Sequence, residues 1–279
     1  MGQKIISLVL VFIFRQVSTS FAQEYPFQTD FPWQGPPPWV DENSPRYPTD
    51  GFPVPLNPEA MGGYFEGDMI LSQEQFRLME GKNGVLIELF RWPHKTVPYV
   101  FEPNRFNRMQ IAMIRKAMRR IERVTCVKFT PRTNQRDYIR IQGFKPGCSA
   151  QIGHLIGQQE VNFAPGCFQV GVLMHELIHV LGFVHMQSAP NRDEWVRILW
   201  KNIKPGHERN FDKYEASWIG LFGTQYDYGS IMHYTLYDFS KNGKKTMVPL
   251  RDTKMVGQRK GLSRADITKI NRMYKCRAA

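Results

Sequence analysis

The chain has 279 residues, four cysteines and a formal net charge of +12 from 37 basic and 25 acidic side chains. That length can bury one sizeable core with appendages, and the single long apolar run, near the N-terminus, is too short to span a bilayer, so no membrane anchor is expected. Charge is unevenly spread: residues 23–82 carry 3 basic and 10 acidic side chains (−7), whereas residues 83–279 carry 32 and 15 (+17). The two stretches attract each other, and the basic one makes an acidic polysaccharide or acidic protein segment a candidate partner without saying anything about fold.

In chain order, Lys4 precedes the apolar run Ile5 to Phe14, and Ser20-Phe21-Ala22 puts small residues where a signal peptidase reads them. Residues 1–22 therefore read as a secretory signal, and the product as secreted and extracellular. Residues 23–58 hold ten of the 19 prolines, among them Pro36-Pro37-Pro38, which predicts an extended arm rather than long helices or central strands. Phe65-Glu66-Gly67-Asp68 ends that composition: Gly67 permits a turn, and Asp68 offers a carboxylate at its tip. A short helix is predicted around Ser72 to Glu80, followed by Gly81-Lys82-Asn83-Gly84, a polar place for proteolytic cutting.

Val97 to Phe101 reads as an apolar strand. From Asn107 to Val124, Ile111, Ile114, Met118 and Ile121 recur at helical spacing opposite Arg108, Arg115, Arg119 and Arg123. This is read as a packing helix with a solvated basic face; no nucleic-acid partner is expected, because stacking aromatics and a recognised binding motif are missing. Val127 to Thr130, Tyr138 to Gln142 and Gln158 to Phe163 read as strands, the last as an exposed edge along which an extended peptide could lie. Strands and helices alternate as far as Phe183 and a less regular half follows, which predicts an α+β fold. Cys126, Cys148, Cys167 and Cys276 in a secreted chain predict two disulfides, with three pairings open.

The densest chemistry lies in HELIHVLGFVH, residues 175–185. Two imidazoles at i and i+4 share one helix face, so His175 and His179 can reach one metal ion. Gly182 permits a sharp turn after the helix that returns His185 to the same point. Three neutral nitrogens around Zn2+ leave a fourth position for water, the mark of a catalytic rather than a structural site. A downstream glutamate, Glu194 or Glu208, could be a third ligand in another arrangement, but His185 makes that unnecessary.

Together with Ser230-Ile231-Met232-His233-Tyr234, this motif resembles the metzincins, and within that clan the astacin family of zinc endopeptidases. The likeness extends over about residues 83–276, through RWPHKTVPYVF, NRDEWV and Met247-Val248-Pro249. It implies a two-lobed α+β domain over residues 83–279, with a twisted mixed sheet and two long helices above an irregular lower lobe with a C-terminal helix. It also implies one zinc per chain on His175, His179 and His185, Glu176 as general base and acid, Met232 in a turn beneath the metal, and Tyr234 as a movable extra ligand. The implied disulfides are Cys126 to Cys276 and Cys148 to Cys167. FEGD resembles a propeptide motif whose aspartate blocks the metal, so residues 23–82 read as a propeptide with Asp68 as latency ligand, released by an activating protease. The family glutamate after the third histidine is replaced by Met186, from which a less tightly held new N-terminus is expected. The expected activity is hydrolysis of protein or peptide substrates by a monomer.

Overall fold

The apolar strand predicted around Val97 lies inside a six-stranded sheet in the computed structural model, which describes residues 57–80, 90–216 and 221–277. The predicted secretory signal, the proline-rich arm up to residue 56 and the cutting site at 81–84 lie outside the described residues. In chain order the main elements are β1 (Met69–Ile70), α1 (Gln73–Glu80), β2 (Thr96–Phe101), α2 (Arg108–Val124), β3 (Lys128–Pro131), β4 (Tyr138–Gln142), β5 (Cys148–Gln151), β6 (Gln158–Phe163), α3 (Val170–Val180), β7 (Val196–Ile198), β8 (Met247–Pro249) and α4 (Arg264–Met273). The sheet runs β1-β5-β6-β4-β2-β3, with β5 antiparallel to β6 and every other pair parallel. Proline lacks the donor that an interior strand needs, and Pro98 is accommodated because β4 pairs with β2 only from Tyr99 onward.

One expectation is overturned here. Gln158–Phe163 is not an edge: β6 pairs with β4 on one side and β5 on the other. Its polar residues mimic an exposed strand but are satisfied internally, Gln159 Nε2 donating to the Gly153 carbonyl at 2.7 Å and Asn162 Nδ2 to the Gly147 carbonyl at 2.8 Å. The strand that would otherwise be the edge is β5, and β1 covers it with Met69 opposite Ala150.

Caps define the helices. Asn107 and Gln110 form a reciprocal capping box at the start of α2, and Ser263 and Asp266 do the same for α4. Ile114, Ala117, Met118 and Ile121 bury one face of α2 in the larger core, which also takes in α3, the inner strands and Ile270, Met273 and Tyr274 at the C-terminal end. A smaller core beneath it gathers Met186, Val196, Ile198, Phe211, Tyr226, Tyr234, Phe239 and Met247 around the β7–β8 pair. Cys126–Cys276 ties the end of α2 to the chain after α4, and Cys148–Cys167 ties β5 to the turn before α3. Loop-closure entropy assigns such links about 5 and about 3 kcal/mol respectively. Among the described residues no helix is long and apolar enough to cross a membrane.

Candidate metal centre

Helix α3 is buried from Gly171 to Val180, so its histidines are held by the core rather than by solvent-exposed contacts. Its first turn lies against the chain near Arg259 so closely that a side-chain carbon at Gly171 would come 1.7 Å from the Arg259 carbonyl oxygen. The helix stops at Gly182, whose φ of 97° is open to glycine and costly for other residues, and whose amide donates to the His179 carbonyl at 2.8 Å. The reversed chain brings His185 back to His175 and His179.

The three Nε2 atoms converge: His179 lies 3.1 Å and His185 3.3 Å from that of His175. Asp68, from the loop before β1, adds Oδ2 at 3.2 Å from His175 Nε2 and Oδ1 at 3.3 Å from His185 and 3.6 Å from His179. Four ligands about 2.0–2.1 Å from a tetrahedral zinc ion are separated from one another by about 3.4 Å. The observed spacings bracket that value. Every Nδ1 faces an acceptor on the other side of its ring: the Ile231 carbonyl at 2.8 Å for His175, the Phe183 carbonyl at 2.7 Å for His179 and Glu66 Oε2 at 2.7 Å for His185. Donation there orients each ring so that Nε2 is left for a cation. Asp68 Oδ1 is buried without a hydrogen-bond donor. All four residues are buried, and the donor set fits zinc.

Glu176 stands beside this cluster with both carboxylate oxygens buried and unpartnered. Burial, reinforced by the charges of Asp68 and Glu59, pushes its pKa well above the ordinary carboxylate range. Burial would raise Asp68 too, but His185 and His179 outweigh it and hold that carboxyl well below its usual range. Glu59, His175 and Glu176 also approach one another closely, but Glu59 is committed to Arg259, whose Nε lies 2.8 and 3.0 Å from its two oxygens.

Met232, which follows the Ile231 whose carbonyl faces His175, is 3% exposed, and its own carbonyl accepts from the Met186 amide at 2.9 Å. The Tyr234 hydroxyl donates to the Glu66 backbone carbonyl at 2.6 Å, so the N-terminal segment occupies it in this state. Sequence reasoning passed over three residues. Glu66 orients His185 and accepts from Ser188 Oγ at 2.8 Å; its place in the turn with Asp68 was the available signal. Glu59, 200 residues from Arg259 in sequence, gave none. Asp266 caps α4 and also accepts from Ile231 N at 2.9 Å and Ser230 Oγ at 2.6 Å, bracing the peptide whose carbonyl receives His175. His94, His154 and His207 lie outside the cluster: His154 contacts Asp137 at 2.9 Å and His207 stacks on Phe239.

A mixed-sheet α+β domain whose buried helix and following turn converge three imidazoles defines the zinc-hydrolase class. The match to the peptidase family described as Astacin spans residues 87–275, and the chain belongs to that family of zinc metalloendopeptidases. It is 39% identical over 196 residues to zinc metalloproteinase nas-13 of Caenorhabditis elegans, covering 70% of this chain and 43% of that relative. It is 38% identical over 232 residues to Seminal metalloprotease 1 of Drosophila melanogaster, covering 79% and 90%. High choriolytic enzyme 1, a hatching-enzyme zinc protease of Oryzias latipes, superposes with a TM-score of 0.64 at 38% identity over 70% of this chain and 100% of its own.

Proposed function

We propose that this chain is a secreted, zinc-dependent endopeptidase made as a latent zymogen, with residues 1–22 as signal, 23–82 as propeptide and 83–279 as the peptidase domain. The observation that carries the reading is the tetrahedral spacing of His175, His179, His185 and Asp68, three ligands from the domain and one from the propeptide. Zinc held by the histidines supplies Lewis acidity that makes water a nucleophile near neutral pH. Asp68 takes the place such a water would need, which accounts for latency.

Removing the propeptide takes away Asp68 and Glu59, whose charges add to burial in raising Glu176. Glu176, relieved of those two charges, takes a proton from water and returns it to the leaving nitrogen. Departure of Glu66 frees the Tyr234 hydroxyl to donate to the developing oxyanion. Release of β1 bares β5, where an extended peptide can add as a strand with main-chain hydrogen bonds. Arg259, left without Glu59, suits an acidic substrate side chain.

The test uses full-length protein cut near Lys82 and a quenched fluorescent peptide library, with and without chelator. E176Q is expected to keep its zinc and lose at least about a hundredfold in turnover. Wild-type turnover by E176Q, or hydrolysis that survives metal removal, would refute the assignment.

A further inference from the structure

Away from the metal centre, the outer face of α2 is strongly basic. Arg108, Arg115, Lys116, Arg119, Arg120 and Arg123 are all exposed, and the helix has a single acid, Glu122, whose carboxylate accepts the Phe129 amide at 2.8 Å. At 3.6 residues per turn these six side chains occupy one continuous stripe, about 22 Å from end to end. Ile114, Ala117, Met118 and Ile121 fill the opposite side and are buried in the core, so the stripe faces away from α3 and its histidines.

Two of the cations have neutral contacts: the Arg115 guanidinium lies 5.7 Å from the Phe101 ring centroid, and Arg120 Nη1 lies 3.4 Å from the Lys260 carbonyl oxygen. Arg108, Lys116, Arg119 and Arg123 have no carboxylate and no side-chain hydrogen bond among the described residues. Like charges four apart on a helix, as at 115/119, 119/123 and 116/120, repel and destabilise it. The arrangement is unfavourable for the isolated helix and becomes favourable when a polyanion lies along it.

We propose that this stripe is a docking surface for a linear sulfated polysaccharide. Five of the six cations are arginine, whose planar fork pairs with the oxygens of anionic groups such as sulfate, and sulfate esters stay charged throughout the physiological pH range. Two disulfides and no free cysteine fit an oxidising compartment outside the cytosol, where such polysaccharides occur. A single-stranded nucleic acid is the less fitting polyanion, since no aromatic side chain interrupts the stripe on α2 to stack on bases. A duplex is set against the polysaccharide in the binding experiment. The surface is independent of the peptidase chemistry, and it would concentrate the protein on a sulfated matrix without covering the metal site.

The experiment measures binding of a heparin dodecasaccharide to the full chain at about 0.15 M salt, where isolated surface charges are screened beyond about 8 Å. The combined variant R108Q/K116Q/R119Q/R123Q is compared with K201Q/K204Q/K241Q/K244Q, which removes the same charge from exposed lysines of the lower lobe. The stripe variant should bind at least about tenfold more weakly and with a shallower salt dependence, while the control stays within about twofold of wild type. Thermal unfolding checks that both variants are folded, and the single R119E serves as a second stripe variant. No binding by wild type, equal losses in both variants, or equally tight binding of a charge-matched DNA duplex through the same residues would overturn the proposal.

Discussion

At the scale of single residues, His233 shows how burial is converted into pH dependence. It is fully buried next to Tyr234, accepting from the Tyr226 hydroxyl at 2.7 Å and donating Nδ1–H to the Tyr234 carbonyl at 2.8 Å. Burial, helped by the Arg259 guanidinium and opposed by that carbonyl, pushes its pKa from 6.5 down to about 4. The unfolded chain therefore binds the proton more readily, so the contribution is fully present above pH 6.5 and lost as pH falls toward 4. At most it amounts to about 3 kcal/mol. Denaturant unfolding between those limits should show a shallower loss of stability for H233Q than for wild type, and parallel curves would contradict the account. At this scale spacing alone makes the convergence of His175, His179 and His185 legible in the sequence, and the Nε2 atoms of His179 and His185 do lie 3.1 and 3.3 Å from that of His175. Spacing fails for Glu66, Glu59 and Asp266, whose partners lie 119, 200 and 35 residues away and are brought together only by the fold.

At the scale of elements, patterns long enough to show a period were legible. The predicted bounds of Tyr138–Gln142 and Gln158–Phe163 coincide with β4 and β6, and the helix expected from Asn107 begins with Asn107 as its cap. β1 and β5, two and four residues long, are too short to carry a period, and that is why the edge of the sheet was misplaced. The approach of Arg259 to α3 is equally invisible in sequence. It yields a prediction: G171A cannot place its methyl group without moving either α3 or the Arg259 backbone, and should destabilise the protein by several kcal/mol, in the range of severe overpacking. A thermal midpoint equal to wild type would show that the contact is dispensable.

At the scale of the whole molecule, the described part of the N-terminal segment is held by charge as well as by strand pairing. Glu59 is buried against Arg259, Glu66 against His185 and Asp68 among the three histidines, so three carboxylates enter a chain that is otherwise basic. Breaking one member of a buried pair leaves the other uncompensated, at a cost of about 3–5 kcal/mol. E59Q in the full chain should accordingly unfold at lower denaturant and lose the segment to limited proteolysis sooner; unchanged stability and cutting rate would show that the pair is not holding it.

The central claim is that one zinc ion sits among three imidazoles with Asp68 as its fourth ligand. X-ray absorption at the zinc edge of the zinc-loaded full chain measures that directly. The account predicts one zinc per chain with three nitrogens and one oxygen at about 2.0–2.2 Å, and loss of the carboxylate shell in D68A. Sulfur in the first shell, a six-oxygen environment, or a spectrum unchanged by D68A would contradict it.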